Sequence, residues 1–234
     1  MKGRTMLKLE SVCVGMMQEN CYIIYEDSSS SEDCMDNAMG EASESASFRD
    51  CVLVDPGDEA GRIAEACRSR GLKPSVILLT HGHFDHIGAV PGLLDIYGDI
   101  TVYAYEKEAL LLSDADMNLS AHFHKPVELP FVRGLSDGEE LKLLGHKLRL
   151  IATPGHTAGS CCYYFAEDKL LFAGDTLFRL SYGRTDLPTS MDGEMPRSLD
   201  KLFELPEDTK VCPGHGDMTE IGFERANNPI HFDY

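Results

Sequence analysis

Basic residues are scarce in this sequence of 234 residues. Lys and Arg number 21 against 39 Asp and Glu, which gives a formal net charge of −18 at pH 7. A surface of this sign repels phosphate backbones and anionic lipid headgroups. We therefore expect neither nucleic acid nor a membrane among the partners.

Long hydrophobic runs and paired cysteine motifs are also missing. No apolar stretch approaches the roughly 20 residues that span a bilayer, and Lys8 and Glu10 interrupt any signal-peptide core. The cysteines show no C-x-x-C spacing, and most lie singly in apolar runs. These absences predict a cytoplasmic protein with reduced thiols rather than a disulfide scaffold.

The apolar content is sufficient for one large domain, because 43% of the residues are hydrophobic. One segment differs from the rest, at about residues 27–50. Between Asp27 and Ser47 it holds seven serines and six acidic residues and no Lys or Arg. Such a composition buries no core and predicts a solvated insertion without a role in any site. It separates strand-like runs at 21–25 and 51–54, which we expect to pair as a hairpin.

Strand-like and helix-like patterns alternate through the remainder. Asp58 is positioned to cap a helix that buries Ile63, Ala64 and Cys67, and the spacing predicts one helix over 87–97. Further strands are predicted at 76–79, 101–104, 147–152, 161–166, 169–173 and 211–212, with helices at 106–112 and after Pro196. Strands cluster towards both ends of this order. The pattern therefore favours an α/β fold of two sheets covered by helices over one doubly wound parallel sheet.

The densest chemical signal lies in the run Thr80-His-Gly-His-Phe-Asp-His86. His81, His83, Asp85 and His86 follow directly after a predicted buried strand. A core or a solvated face has no need for four such side chains within six residues. Imidazole and carboxylate ligands suit Zn²⁺, Fe or Mn²⁺, and so short a loop serves two adjacent cations more easily than one.

Three more ligand-type residues come just after predicted strands, each beside a glycine. They are His156, Asp175 and His215. Loops at strand ends are where rigid scaffolds carry their sites. Five histidines and two aspartates match a centre of two divalent ions with one bridging carboxylate. The remaining motif, His122-Phe-His124, follows no strand and predicts a lid or surface element, and we expect His146 and His231 on the surface.

The chain resembles the metallo-β-lactamase fold superfamily, and within it the short, single-domain members of the glyoxalase II-like (hydroxyacylglutathione hydrolase-like) branch. The segments that carry the resemblance span most of the chain outside 27–50. They are Val54-Asp-Pro-Gly57, Thr80–His86, Thr153-Pro-Gly-His156, Gly174-Asp175, Gly183-Arg-Thr-Asp186 and Pro213-Gly-His-Gly216.

The resemblance implies an αββα sandwich with the metals at one edge. It implies His81, His83 and His156 on the first metal, with Asp85, His86 and His215 on the second. Asp175 would bridge the two, so Asp85 and Asp175 are the predicted catalytic carboxylates. The metals are expected to be Zn²⁺, with Fe or Mn as alternatives. Only 19 residues follow His215, so the helical region with which glyoxalase II enzymes hold glutathione is expected to be absent.

The implied reaction is hydrolysis of a small-molecule thioester, because metal-activated hydroxide attacks a carbonyl and the thiol leaves as thiolate. Two alternatives on this fold stay open, a mononuclear iron persulfide dioxygenase and a lactonase or other ester hydrolase. Arg184 is a candidate for binding a substrate carboxylate, with pairing to Asp186 as the competing interpretation. Asp55 and Thr80 are candidates for orienting the ligand histidines, with turn formation and strand termination as the alternatives.

Overall fold

The computed structural model of the protein describes residues 6–27 and 48–233. The predicted insertion falls almost wholly outside the described residues. Arg49 and Asp50, at its predicted end, belong to a strand.

The first part of the chain forms a six-stranded sheet whose strands stand in chain order. The strands are β1 (Leu7–Val14), β2 (Glu19–Glu26), β3 (Arg49–Val54), β4 (Leu72–Leu78), β5 (Thr101–Tyr105) and β6 (Arg133–Leu135). The first three pair antiparallel, and β3 to β6 run parallel. Tyr22 of β2 lies opposite Val54 of β3, so the predicted pairing of these two runs is confirmed.

The second part of the chain forms another six-stranded sheet and a two-stranded ribbon. Its strands are β7 (Glu140–Leu143), β8 (His146–Ala152), β9 (Cys161–Phe165), β10 (Leu170–Gly174), β11 (Leu177–Phe178), β12 (Ser181–Tyr182), β13 (Lys210–Pro213) and β14 (Thr219–Glu220). The sheet has the order β14-β13-β10-β9-β8-β7, and β11 pairs with β12. β10 and β13 run parallel, so both end at the same edge.

Seven α-helices lie between and after these strands among the described residues. They are α1 (Ala60–Arg68), α2 (Phe84–Ile87), α3 (Val90–Tyr97), α4 (Ala109–Leu112), α5 (Met195–Phe203), α6 (Ile221–Asn227) and α7 (Ile230–Asp233). Short 3-10 turns cover Glu106–Glu108, Ser120–Phe123 and Asp192–Glu194. No helix in the described ranges is long and apolar enough to cross a membrane.

Successive side chains of a strand point to opposite faces of its sheet, which explains how the sheets and helices form layers. In β2, Tyr22 and Ile24 join a core shared with Phe172 of the second sheet, whereas Ile23 joins the core beneath α1 and α3. In β10, Leu171 turns the other way and packs with Leu199 of α5. The result is the predicted αββα sandwich of two sheets with helices on both outer faces, so the fold class is confirmed.

Two local predictions about helices were wrong. Asp58 does not cap α1. Its carboxylate accepts the backbone N–H of Glu59, which itself precedes the helix in a left-handed conformation (φ 54°). The helix expected over 87–97 is interrupted, because the N–H of Ala89 donates to the carbonyl of Pro56 instead of continuing α2.

His146 was also predicted wrongly, because it is buried rather than on the surface. Its side chain is 2% exposed, and its Nδ1 lies 2.8 Å from Asp168 Oδ2. It begins β8, and a buried imidazole at this position is satisfied by that carboxylate. His231 is exposed as expected, and so are His122 and His124. The seven cysteines that the structure describes are free thiols, as predicted.

Candidate metal centre

The seven predicted ligand side chains converge at the edge where β4, β8, β10 and β13 end. Backbone bonds join the two sheets there, since Cys161 N–H donates to the Thr80 carbonyl at 2.9 Å and Asn20 N–H to the Gly214 carbonyl at 2.8 Å. The ligand atoms form three overlapping clusters, and within each cluster the atoms lie within 4.8 Å of one another. The clusters are His81–His83–His156, His81–His86–Asp175 and Asp85–His86–His215.

Asp175 occupies the middle of this arrangement. Its Oδ1 lies 3.4 Å from His86 Nε2, and its Oδ2 lies 3.5 Å from His156 Nε2 and 3.6 Å from His215 Nε2. On one side His83 Nδ1 lies 2.9 Å from His156 Nε2. On the other side His215 Nε2 lies 3.4 Å from Asp85 Oδ2. The carboxylate of Asp175 therefore faces both groups of histidines.

Hydrogen bonds on the far side of three imidazoles fix which ring nitrogen carries the proton. His86 Nδ1 lies 3.1 Å from Asp55 Oδ2, His156 Nδ1 lies 2.8 Å from the Arg184 carbonyl, and His215 Nδ1 lies 3.1 Å from the Met17 carbonyl. Each partner is an acceptor, so Nδ1 donates, and in the neutral imidazole Nε2 keeps a free lone pair. All three Nε2 atoms point into the centre.

His81 is oriented by the same logic through Thr80. The Thr80 hydroxyl donates to Asp55 Oδ2 at 2.6 Å, so its oxygen is free to accept from His81 Nδ1 at 3.2 Å. Asp55 also accepts the Thr80 backbone N–H at 2.7 Å. Asp55 reaches these groups from a left-handed backbone conformation (φ 48°), one that aspartate tolerates better than most residues. The contacts expected of Asp55 and Thr80 are therefore present.

Burial keeps two of the inner histidines, His81 and His83, neutral. It lowers the pKa of His83 to about 3 and that of His81 well below its ordinary value, and the neighbouring imidazoles add to both shifts. Burial alone would raise the pKa of Asp175, but the neighbouring histidines, His86 first, together outweigh it and hold that pKa well below its usual range. Against the effect of burial, the facing carboxylates in turn raise the pKa of His86 well above its ordinary value. Neutral imidazoles and ionised carboxylates are the forms that bind metal.

Several polar atoms of this cluster are buried and lack a hydrogen-bond partner in the described part of the chain. They are His81 Nε2, His83 Nε2, His86 Nε2 and Asp175 Oδ1. Buried polar atoms without partners are costly, and a cation is the partner that imidazole lone pairs and a carboxylate share. The donor set, five imidazoles and two carboxylates, fits two borderline divalent ions.

Two glycines allow the strand ends to approach this closely. Gly174, at the end of β10, has a φ of +48°, and a Cβ there would overlap the Thr80 side chain. A Cβ on Gly214 would overlap Asp175 Oδ1 and the His86 ring. Close approach therefore requires glycine at these two positions beside Asp175 and His215.

A cavity of about 500 Å³ opens over the centre. His83, Asp85, His156, Asp175 and His215 reach it from the ligand cluster, whereas the remaining wall is largely apolar. Arg184 also lines it, but its guanidinium holds Asp186 through two bonds of 2.6 and 2.7 Å. The side chain of Arg184 is therefore already paired at the rim.

Two buried carboxyl groups were not found by sequence reasoning. Glu108 accepts bonds from Gly82 N–H at 2.7 Å and from the Thr157 hydroxyl at 2.9 Å, and so joins both histidine-bearing loops. Glu19 is fully buried near Asp55 and His86, and burial raises its pKa well above the ordinary value. Both residues lie outside any motif, in a helix-like run and at a strand start, so no local signal marks them.

The family model described as "Metallo-beta-lactamase superfamily" matches residues 49–215. The match with this chain extends over most of the length of two curated relatives. The chain is 38% identical to "Probable metallo-hydrolase YqgX" of Bacillus subtilis, over 77% of this chain and 86% of the relative. It is 30% identical to "Hydroxyacylglutathione hydrolase GloC" of Haemophilus influenzae, over 96% of this chain and 98% of the relative.

Solved structures agree with this fold. BLEG-1, described as a B3 metallo-beta-lactamase, superposes with a TM-score of 0.81 at 34% identity, covering 95% of this chain and 98% of that one. TTHA1623 in a di-iron-bound form gives 0.75 at 36% identity, covering 94% and 98%. ETHE1 from Myxococcus xanthus gives 0.70 at 24% identity, covering 95% and 83%, a likeness that shows the fold alone.

Proposed function

This chain belongs to the metallo-beta-lactamase superfamily and is a metallo-hydrolase of that family, and we propose that its substrates are thioesters. The hydrolytic part rests on the arrangement of His86, His156 and His215. The Nδ1 atom of each lies against an oxygen acceptor, and the Nε2 atom of each faces Asp175. The relative GloC supports the thioester part by its name.

The residues that would hold two divalent ions fall into two groups around Asp175. We assign His81, His83 and His156 to one ion and Asp85, His86 and His215 to the other, with Asp175 between them. When bound, such ions supply Lewis-acid chemistry, lowering the pKa of water to about 7 and polarising a carbonyl. The identity of the ions stays a proposal: Zn²⁺ suits the ligands, and the relative TTHA1623 is described with two irons.

The chain's own side chains contribute orientation and a low dielectric. Asp55 holds the proton on Nδ1 of His86, and the carbonyls of Arg184 and Met17 do the same for His156 and His215. The apolar wall over the centre, which includes Leu119 and Phe178, excludes water and strengthens charge interactions at the carbonyl. A thiol leaving group, with a pKa near 8.5, departs as thiolate without a general acid.

Hydrolysis of β-lactams is the second candidate, because BLEG-1 is similar at 34% identity over nearly the full chain. A β-lactam leaves through its amide nitrogen, which must be protonated, so it demands more of the site than a thioester does. The persulfide dioxygenase reading is supported only by the fold shared with ETHE1.

One experiment separates these candidates. Protein loaded with Zn²⁺, Fe or Mn²⁺ is assayed with S-lactoylglutathione, with an S-lactoyl thioester that lacks glutathione, and with a chromogenic cephalosporin. Oxygen uptake with a persulfide is measured in parallel. We expect thioester hydrolysis that Asp175→Ala removes and Asp208→Ala keeps, since Asp208 is exposed and pairs with Lys169 away from the centre. Oxygen uptake without thioester hydrolysis in fully loaded protein would overturn the proposal.

A further inference from the structure

A second cavity of about 290 Å³ adjoins the one over the metal centre. Met17, Phe84, Asp85 and Phe123 line both cavities. We call the second cavity the side pocket. These four shared residues place the side pocket directly beside the cavity over the metal centre.

The wall between the two cavities is aromatic. The rings of Phe84 and Phe123 stack with centroids 4.0 Å apart and planes 17° apart. Phe84 begins α2 within the histidine motif, and Phe123 ends the 3-10 turn Ser120–Phe123. The stack thus ties the side pocket to the same loop that carries His83 and Asp85.

Apolar side chains around the side pocket remain unusually open to solvent. Met16 is 74% exposed, Met17 is 48% exposed and Phe123 is 40% exposed. The two methionines lie in the turn between β1 and β2 and line the side pocket together with Phe123. Exposed apolar surface that rims a concavity is typical of a ligand site, and methionine adapts to ligands of different shape.

The charged side chains Lys125, Asp58 and Asp85 of the side pocket already have partners. Lys125 Nζ lies 3.1 and 3.2 Å from the two carboxylate oxygens of Asp58, and Asp85 faces His215 in the metal centre. His122 and His124 lie exposed at the rim. An apolar group in the ligand would leave the Lys125–Asp58 pair intact.

We propose that the side pocket binds an apolar arm of the substrate, aliphatic or aryl, while the reacting carbonyl lies over the metal centre. This inference rests on the proposed thioester hydrolysis and deepens it. It makes the turn between β1 and β2 and the turn Ser120–Phe123 the elements that determine specificity. The arm belongs either to the acyl part or to the thiol part of the thioester.

Binding of straight-chain carboxylates tests the pocket without any turnover. Acetate, butyrate, hexanoate and octanoate are titrated calorimetrically into metal-loaded protein. We expect affinity to rise about fourfold for each methylene that enters the pocket. Met16→Asp places a charge in the wall and should flatten this rise. Met6→Asp is the matched control, because Met6 is 73% exposed and lines neither cavity, and it should keep the full rise.

Two thioester series then identify the arm. One series lengthens the acyl chain on a constant thiol, and the other lengthens the thiol on a constant acyl group, with kcat/KM as the readout. A length dependence in one series that Met16→Asp flattens supports the proposal and names the arm. A carboxylate series with no rise, or with the same rise in Met16→Asp, overturns the side pocket even if thioesters are hydrolysed. The opposite result is a rise in carboxylate affinity that Met16→Asp flattens, without any thioester hydrolysis. It would support the side pocket as an apolar binding site and refute the proposed function.

Discussion

The carboxylate of Glu108 accepts a hydrogen bond of 2.7 Å from the backbone N–H of Gly82, the residue between His81 and His83 in the sequence. The same carboxylate accepts the hydroxyl of Thr157, the residue after His156, at 2.9 and 3.0 Å. Glu108 therefore sets the separation of two loops that come from different sheets. A buried acceptor with several donors is expensive to replace, because each donor would lose its partner.

Stability should depend on pH through Glu108. Burial raises its pKa from 4.5 to about 7, against the lowering effect of its hydrogen bonds. Between these values the folded protein holds a proton that the unfolded chain has released, so the unfolding free energy falls as pH rises. The proton on Glu108 therefore contributes about 3 kcal/mol to the unfolding free energy. This contribution is fully present below pH 4.5 and is lost above pH 7.

Denaturant unfolding from pH 5 to 7.5 checks this expectation. Glu108→Gln cannot ionise, so its stability deficit relative to the unaltered protein should shrink across this range. Glu140→Gln is the control, because Glu140 is 56% exposed and pairs with Lys147. Parallel stability profiles for the protein and Glu108→Gln would contradict the expectation.

Gly214→Ala should disrupt the centre far more than an alanine elsewhere. The added Cβ would overlap Asp175 Oδ1 and the His86 ring, whereas nothing lies within 4 Å of a Cβ at Gly193. We expect Gly214→Ala to lose at least tenfold in metal affinity, as disturbance of groups that position metal ligands commonly does, and Gly193→Ala to keep it. The metal content of each variant after dialysis against a chelator measures how tightly it binds metal. Equal retention in the two variants would show that the strand ends can separate without cost.

Asp175 and His215 should differ in how many ions they affect. Asp175 faces both groups of histidines, so Asp175→Ala is expected to lower metal content towards zero. His215 belongs to only one of the ligand clusters, the one with Asp85 and His86, so His215→Ala should chiefly remove one ion. Elemental analysis gives metal per chain, and hydrolysis should fall by orders of magnitude in both variants because the reaction needs both cations. One iron per chain in the unaltered protein, unaffected by His215→Ala, would instead favour the dioxygenase.

Arg184 offers a test of substrate charge. Its guanidinium binds Asp186 at the cavity rim, and a substrate carboxylate could exchange for that partner through the same two-pronged geometry. Arg184→Ala should then raise KM several-fold for an anionic thioester and little for a neutral one. Arg197→Ala is matched, since Arg197 is exposed and pairs with Glu194. Equal changes in KM for both thioesters would leave Arg184 with only its pairing role.

The fold was largely predictable because its signals are local. Strand runs ended at glycine and at ligand-type residues, and the same places are the strand ends in the structure, as at Gly174 and Pro213. Two of the predictions that failed depended on partners distant in sequence. The carbonyl of Pro56 takes the N–H of Ala89 and interrupts a helix, and Asp168 draws His146 into the interior.

The clustering of the candidate ligands was predictable to the same degree and for the same reason. The ligand-type residues stood out by density and by their place after strands, and the structure brings all seven together. Glu108 and Glu19 could not be found, because an isolated glutamate in a chain with 39 acidic residues carries no mark of burial. For Arg184 the sequence left two interpretations open, a substrate contact and a pair with Asp186, and the structure shows the pair.

Each sheet is made from one uninterrupted half of the chain, with β6 ending at Leu135 and β7 beginning at Glu140. The ligand-type residues are divided in the same way, His81 to His86 from one half and His156, Asp175 and His215 from the other. Each proposed ion would therefore need both halves. A chain cleaved between 135 and 140 should yield fragments that bind metal tightly only when mixed. The metal ions would then hold the two fragments together, and the amount of metal retained would measure how much of the split protein has reassembled.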